Sequence, residues 1–225
     1  MAIALAILVG ALGGLGITAL AVWIPRHMAR EEARWHAEVL RLHPADPGVG
    51  DPSKQPALKA LTIAFCVGLA VYSVQLEGWS PRMVMHMAFV WVLVALALID
   101  LRTHLLPDMI VLPALWLGLL LQTVPGFETI GVHASIRGAA AGYLLLWVPA
   151  LIFSLVRGVE AMGHGDFKLM AMIGAWLGAG SLVWILLAAS LAGALFHLVR
   201  GRRGREEFAF GPWLAAAAVG YGSLG

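Results

Sequence analysis

Two aspartates that lie far apart in the sequence have the positions expected of catalytic acids. Asp100 ends the apolar run "FVWVLVALALID", and Asp166 lies in "GHGDFK", at the entrance to a second apolar segment. Ionisable residues at or within membrane-length apolar segments are rare and usually functional. When two carboxyl groups share one proton, one can deprotonate a water molecule while the other protonates a peptide carbonyl oxygen. The pair could therefore hydrolyse a peptide bond without a metal ion or a covalent intermediate.

The local positions of the two acids also allow non-catalytic roles. Asp100 is expected at the C-terminal end of a helix, where the helix dipole disfavours a negative charge, and it could pair with Arg102. Asp166 is expected at the start of a helix, where the dipole lowers the pKa of its carboxyl group and where aspartate is a favoured N-cap. Capping explains Gly163 and Gly165 less well, because glycine permits the close approach of another chain.

Four further polar residues lie next to the two aspartates. Asp108 follows a proline at the start of an apolar segment and is predicted to cap the helix that begins there. Lys168 follows the second aspartate closely, but its spacing defines no role for it. His104 and His164 could tune the two acids or bind substrate.

The composition indicates which elements position these residues. The chain of 225 residues is 60% hydrophobic and only 12% charged, whereas soluble domains average about 25% charged residues. A helix needs about 20 apolar residues to cross a bilayer. The sequence therefore predicts an all-α polytopic membrane protein with eight transmembrane helices, at approximately residues 2–24, 58–77, 83–100, 107–124, 135–156, 167–179, 182–199 and 208–224.

The distribution of basic residues predicts the orientation of these spans. Of the 15 Lys and Arg residues, all except Arg82 and Arg137 fall in the predicted loops on one side. Cytoplasmic loops carry the excess of Lys and Arg, so both termini are predicted to point away from the cytoplasm. Asp100, Asp108 and Asp166 are then all expected at the cytoplasmic ends of their spans.

The chain is predicted to have three parts. Residues 1–24 form a first transmembrane helix, residues 25–57 form a short cytoplasmic helix and a flexible linker, and residues 58–225 form a seven-helix membrane domain. Small residues spaced four apart let helices approach closely in a membrane. Such close approach is predicted at three glycine pairs: Gly10 and Gly14, Gly138 and Gly142, and Gly174 and Gly178.

Three segments of the sequence resemble the type IV prepilin peptidases, a family of bacterial membrane aspartic proteases. The segments are "IDLRTHLLPDMIVLP", "GHGDFKLMAMIGAWLG" and "FAFGPWLAAAA", and the similarity covers about residues 83–224. The resemblance implies that Asp100 and Asp166 are the catalytic pair. It also implies supporting or substrate-binding roles for the other residues of the first two motifs: Gly163, Gly165, Lys168 and Asp108.

The resemblance further implies a substrate and a location. Such enzymes remove the short basic leader of type IV prepilins, or of type II secretion pseudopilins, at the cytoplasmic face of the bacterial inner membrane. The expected partners are this substrate and membrane lipids. No nucleic acid, metal ion or peptidase cofactor is expected, and the sequence predicts no particular oligomeric state.

The N-terminal third departs from the family pattern. Bifunctional members carry two Cys-x-x-Cys pairs that bind zinc, and they methylate the new N-terminus with S-adenosylmethionine. Residues 25–57 contain no cysteine, so S-adenosylmethionine is expected only if methyl transfer is retained. Two other functions stay open: a small proton-coupled transporter, and a non-catalytic membrane component of a pilus or secretion apparatus.

Overall fold

The described part of the chain is entirely helical in its regular secondary structure. The computed structural model describes residues 2–40, 56–159, 162–200 and 209–223. The predicted all-α fold is confirmed in these ranges, and so are all eight predicted helices. Most of the predicted linker falls outside the described residues. The helices are α1 (Ala2–Leu40), α2 (Pro56–Glu77), α3 (Pro81–Thr103), α4 (Asp108–Leu121), α5 (Val132–Arg157), α6 (His164–Leu177), α7 (Ala179–Arg200) and α8 (Gly211–Gly222).

The first helix is longer than the sequence predicts. The predicted membrane span at 2–24 and the predicted short polar helix after it form one continuous helix of 39 residues. Pro25 lies at the predicted boundary, and proline disfavours a helix interior because it lacks a backbone N–H group. The helix nevertheless continues past Pro25. The residues after it are rich in Ala, Glu, Arg and Leu, which have high helix propensity. The change from apolar to polar side chains therefore marks no end of the helix.

The chain divides into two compact units, Met1–Gly78 and Trp79–Gly225. In the first unit, α1 packs against α2 through the predicted glycine pair. A Cβ atom at Gly10 would lie 2.7 Å from Cα of Val67, and one at Gly14 would lie 2.8 Å from Cα of Ile63. The close approach predicted for these two glycines is confirmed.

In the second unit, α6 is the central helix. It packs against α4, α5, α7 and α8. A helix surrounded in this way is apolar on most of its faces, which agrees with the composition of its sequence, "HGDFKLMAMIGAWL". Its buried residues include Phe167 and every residue from Leu169 to Trp176.

Specific contacts fix the position of α6 in this unit. Gly138 and Gly142 of α5 lie against the backbone of α6, where a Cβ atom would overlap the carbonyl groups of Gly174 and Met170. Gly178 also contacts Gly138, so the predicted close packing of these glycine pairs is confirmed. The indole Nε1 of Trp176 donates a hydrogen bond of 2.9 Å to the carbonyl oxygen of Ala114 in α4.

Four helical segments in the described part of the chain are long and apolar enough to cross a membrane. They are Ala2–Ile24, Pro81–Leu101, Val132–Arg157 and Ala179–Val199. Helices α4 and α6 have 14 residues each and α8 has 12. At about 1.5 Å per residue they are shorter than the roughly 30 Å hydrocarbon core of a bilayer. The chain is therefore a polytopic membrane protein in which long helices are combined with shorter ones.

Candidate functional site

Asp100 lies in the last turn of α3, buried inside the second unit. Its exposed fraction is 5%. The helix ends at Thr103 because His104 adopts a left-handed conformation, with φ of 53°, and donates its backbone N–H to the Asp100 carbonyl oxygen at 2.9 Å. In the described part of the chain, Oδ2 of Asp100 has no hydrogen-bond partner. Buried polar atoms are nearly always paired, so an unpaired carboxyl oxygen here indicates a functional group. The Arg102 side chain, an alternative partner, lies outside the described atoms.

The start of α8 closes the other side of the Asp100 carboxyl group. A Cβ atom on Gly211 would lie 2.6 Å from Oδ2 of Asp100. The Gly211 backbone amide faces the same carboxyl group. Gly211 belongs to the Phe-Gly-Pro segment, to which the sequence assigned no role in the site. A signal was available, because the predicted eighth span begins on the same side of the membrane as the two aspartates.

Asp166 lies in the first turn of α6, but it does not cap the helix. The N-cap is Gly163, whose backbone is extended, and no side chain makes a capping hydrogen bond there. Asp166 is the third residue of the helix and donates its own backbone N–H to the carbonyl oxygen of Gly163 at 3.2 Å. The predicted capping role is wrong because the helix begins before Asp166. The carboxyl group is consequently available for other interactions.

The surroundings of Asp166 raise the pKa of its carboxyl group to about 7, first through burial and then through the negative charge of Asp100. This result contradicts the lowered pKa that the helix start predicts. A helix N-terminus contributes only about 0.3–1 kcal/mol, while removing a carboxylate from water costs more. The effect of Asp100 on Asp166 indicates that the two carboxyl groups lie near enough to interact electrostatically.

Asp108 and Lys168 form an ion pair. The Lys168 Nζ atom lies 2.8 Å from Oδ1 and 2.7 Å from Oδ2 of Asp108. The predicted capping role of Asp108 is wrong, because Pro107 occupies the N-cap position and no side-chain capping hydrogen bond is present. Asp108 is instead the first residue of α4, and its charge holds Lys168, the fifth residue of α6. The pair joins the two sequence motifs.

The two glycines of the second motif have different surroundings. A Cβ atom at Gly165 would lie 2.9 Å from Cβ of Leu106, so Gly165 makes room for the loop between α3 and α4. Gly163 is exposed, and a Cβ atom there would meet nothing within 4 Å. Of the two, Gly163 is therefore the one that leaves open space beside the candidate site.

A cavity of about 190 Å³ lies beside the start of α6. His164 and Phe167 contribute to its wall, opposite Trp147 and Ser154 of α5. Neither Asp100 nor Asp166 is part of the wall, so the cavity does not contain the carboxyl groups. His104 is exposed and interacts electrostatically with Asp100. In the described residues, no three His, Cys, Asp or Glu side chains are grouped as a metal site requires.

The arrangement provides the chemical groups for acid–base catalysis at a carbonyl. It combines a buried carboxyl group that has an unpaired oxygen with a second carboxyl group whose pKa is about 7. A group with this pKa is protonated about half of the time at neutral pH, which suits it to donate a proton during a reaction and to recover it afterwards.

Comparison with known proteins shows which family of sequences the part of the chain around the site is similar to. Residues 87–198 match the family model described as "Type IV leader peptidase family". This range includes both aspartates and the Asp108–Lys168 ion pair, but it ends before Gly211.

Three curated proteins named "Prepilin leader peptidase/N-methyltransferase" show the degree of similarity. The protein of Aeromonas hydrophila is 41% identical over 169 residues, which cover 73% of this chain and 56% of that protein. The protein of Dickeya chrysanthemi is 45% identical over 147 residues, covering 63% and 51%. That of Dichelobacter nodosus is 44% identical over 131 residues, covering 58% and 45%. The chain spans about half the length of these relatives. No solved structure matches it.

Proposed function

Because the chain belongs to the type IV leader peptidase family through residues 87–198, we propose that it is a membrane aspartic endopeptidase. Its substrates are type IV prepilins or type II secretion pseudopilins, from which it removes the short basic leader. The observation that carries the proposal is the environment of Asp166, where burial first, and then the negative charge of Asp100, raises the pKa of its carboxyl group to about 7. These are the two residues that the family resemblance implies as the catalytic pair.

The proposed reaction uses the single proton that the two carboxyl groups share. Asp100 accepts a proton from a water molecule, and the water oxygen attacks the carbonyl carbon of the scissile peptide bond. Asp166 donates its proton to the carbonyl oxygen, which gives a gem-diol. The C–N bond then breaks as the proton on Asp100 passes to the leaving nitrogen and a diol proton returns to Asp166. The pair ends in its initial protonation state.

The remaining motif residues support this pair. The ion pair between Lys168 and Asp108 joins α6 to the start of α4, and Gly165 lets the loop before α4 pack against the first turn of α6. Gly163 leaves space in which a substrate backbone can approach Asp166. We assign positioning roles to Lys168, Asp108 and Gly165, and a substrate-access role to Gly163.

The proposed location is the bacterial inner membrane, with the aspartates near the cytoplasmic face and both termini on the other side. The support is the one-sided distribution of Lys and Arg. In this arrangement, residues 1–24 cross the membrane, residues 25–57 lie in the cytoplasm, and residues 58–225 form the membrane domain that carries the site. A proton-coupled transporter would hold its acids near the bilayer midplane, whereas these acids lie in the last turn of α3 and the first turn of α6.

No cofactor enters the proposed peptidase reaction. The names of the relatives also include N-methyltransferase activity, and S-adenosylmethionine would be required if this chain retains that activity. A cleavage assay supplied with labelled S-adenosylmethionine reads out both reactions. Transfer of label to the new N-terminus would show that methylation is retained.

The test of the peptidase proposal is leader removal from a prepilin by membranes that contain the wild type, Asp100→Asn or Asp166→Asn. Each variant is expected to cleave at least about 100-fold more slowly, because general acid–base groups contribute about 10²–10⁴-fold. Glu128→Gln is the matched control, since Glu128 is an exposed acid in the loop between α4 and α5. If the wild type cleaves none of several prepilins and pseudopilins, the chain is instead a non-catalytic component.

A further inference from the structure

We propose that Gly211, at the start of α8, is a positioning residue for the Asp100 carboxyl group. The inference rests on the proposed function and extends it. It adds the Phe-Gly-Pro segment, as a third part of the chain, to a site formed by the ends of α3 and α6.

The geometry places Gly211 directly against the reactive group. A Cβ atom at Gly211 would lie 2.6 Å from Oδ2 and 3.2 Å from Cγ of Asp100. Gly211 is buried, and so is Asp100, whose Oδ2 has no hydrogen-bond partner in the described part of the chain. Oδ2 therefore faces the residue that begins α8, whose backbone N–H interacts with the carboxyl group without making a hydrogen bond of good geometry to this oxygen.

The backbone of Gly211 does not itself require glycine. In the described residues, the glycines with positive φ are Gly78, Gly126, Gly131, Gly158 and Gly178, and Gly211 is not among them. The left-handed region that favours glycine is therefore not the reason for a glycine at this position. What the site requires is the absence of a side chain, because the Asp100 carboxyl group occupies the space in which a side chain would begin.

The start of α8 also suits the chemistry of a carboxylate. The first backbone N–H groups of a helix have no partner within the helix, and its N-terminus carries partial positive charge. Pro212 follows Gly211, and proline in the first turn fixes the point at which a helix begins. The helix start can therefore hold Asp100 in the orientation in which it accepts a proton from water.

An alanine at position 211 is expected to displace the carboxyl group and to leave the fold intact. The atoms nearest to the added Cβ atom belong to the Asp100 side chain. This side chain can rotate away from the added methyl group without a movement of the backbone. We expect Gly211→Ala to lower kcat for leader removal by about 100-fold, the loss expected from a shift of about 1 Å at a reacting group. The KM and the unfolding temperature in detergent should change little, because neither substrate binding nor the core is altered.

The matched control lies on the same helix. A Cβ atom at Gly220 would meet nothing within 4 Å, so Gly220→Ala adds the same methyl group to α8 without touching Asp100. We expect its kcat to equal that of the wild type. A wild-type kcat for Gly211→Ala would overturn the proposal.

A disulfide experiment tests the geometry without relying on activity. The Cβ atom built on Gly211 lies 3.5 Å from Cβ of Asp100, within the range of about 3.5–4.5 Å found in disulfides. Cys66 is the single cysteine of the chain, so Cys66→Ser provides a clean background. Asp100→Cys with Gly211→Cys should form a disulfide under mild oxidation, and Asp100→Cys with Gly220→Cys should not.

The two experiments separate this proposal from the proposed function. Failure of the wild type to cleave any prepilin would refute the peptidase function, while the disulfide would still report whether residues 100 and 211 are adjacent. Absence of the disulfide in the 100–211 pair would overturn the role of Gly211, even in an active peptidase. If Gly211→Ala does not accumulate in membranes, the disulfide result decides.

Discussion

Burial and a neighbouring negative charge control the proton on Asp166. Both effects raise the pKa of its carboxyl group, to about 7, whereas the start of a helix would lower it. In the proposed reaction this shift has a direct use, because a carboxylic acid that remains protonated near neutral pH can donate its proton to a peptide carbonyl. An aspartate at its ordinary pKa of about 3.9 would already be ionised.

The raised pKa predicts how cleavage depends on pH. The protonated form of Asp166 is the reactive one, and its population falls as pH rises through about 7. The rate of leader removal should therefore decline above neutral pH. Single-turnover rates between about pH 5 and pH 9 would measure this limb of the profile. A rate that keeps rising to about pH 9 would show that Asp166 is not the proton donor.

At the residue scale, the sequence correctly predicted where along the helices the two aspartates lie. The two acids were expected at the ends of helices, and the structure places them in the last turn of α3 and the first turn of α6. The capping roles of Asp108 and Asp166 and the lowered pKa of Asp166 were wrong. The capping roles were wrong because the N-cap of each helix is an earlier residue than the one predicted. The pKa depends on burial and on a charge from another helix, which local sequence does not contain.

At the scale of helices, the Asp108–Lys168 ion pair connects α4 to α6. The side chain of Asp108 is 53% exposed and that of Lys168 is 32% exposed. Exposed ion pairs contribute about 0.2–1 kcal/mol to the free energy of unfolding. The pair should therefore matter more for the alignment of the two helices than for overall stability.

Reversal of the two charges tests this role. Lys168→Asp and Asp108→Lys should each lower kcat/KM for leader removal by up to about fivefold, which corresponds to about 1 kcal/mol. The double variant should recover most of the loss, because it restores an ion pair of opposite polarity. A double-mutant cycle on kcat/KM measures the coupling. Losses that simply add would mean that the two residues act independently.

The contact between α5 and α6 depends on the absence of side chains. A Cβ atom at Gly142 would overlap the carbonyl group of Met170, which is backbone and cannot move alone. Gly142→Ala should therefore destabilise the protein by about 1–3 kcal/mol, the usual cost of overpacking. Denaturant unfolding in detergent would measure it. Gly180→Ala in α7 is the control, because a Cβ atom there meets nothing within 4 Å. Equal stability of the two variants would contradict the close packing.

Helix positions were largely predictable, and their ends were less so. Apolar segments of sufficient length indicated all eight helices. The sequence did not show that α1 continues to Leu40 or that α6 ends at Leu177, with Gly178 alone between α6 and α7. Hydropathy reports what surrounds a helix, whereas backbone conformation decides where it ends. Gly178, with φ of 78°, provides that conformation.

At the scale of the whole molecule, the second unit surrounds one short helix, α6, with two long helices and two short ones. Helix α6 packs against α4, α5, α7 and α8, and Asp166 lies in its first turn. Helix α3 packs against α8, which brings the Phe-Gly-Pro segment to Asp100. The predicted spans and the distribution of Lys and Arg predict that the two aspartates share one face of the membrane. Only the packing of the helices shows that Gly211 touches Asp100 and that Asp108 pairs with Lys168.

The central claim is that Asp100 and Asp166 act as one catalytic unit, and the most direct measurement compares three variants in a sensitive leader-cleavage assay. These are Asp100→Asn, Asp166→Asn and the double variant. Residues that act as a unit have strongly non-additive effects, so the double variant should cleave about as slowly as either single variant. Losses that multiply in the double variant, or near wild-type cleavage by either single variant, would contradict the account.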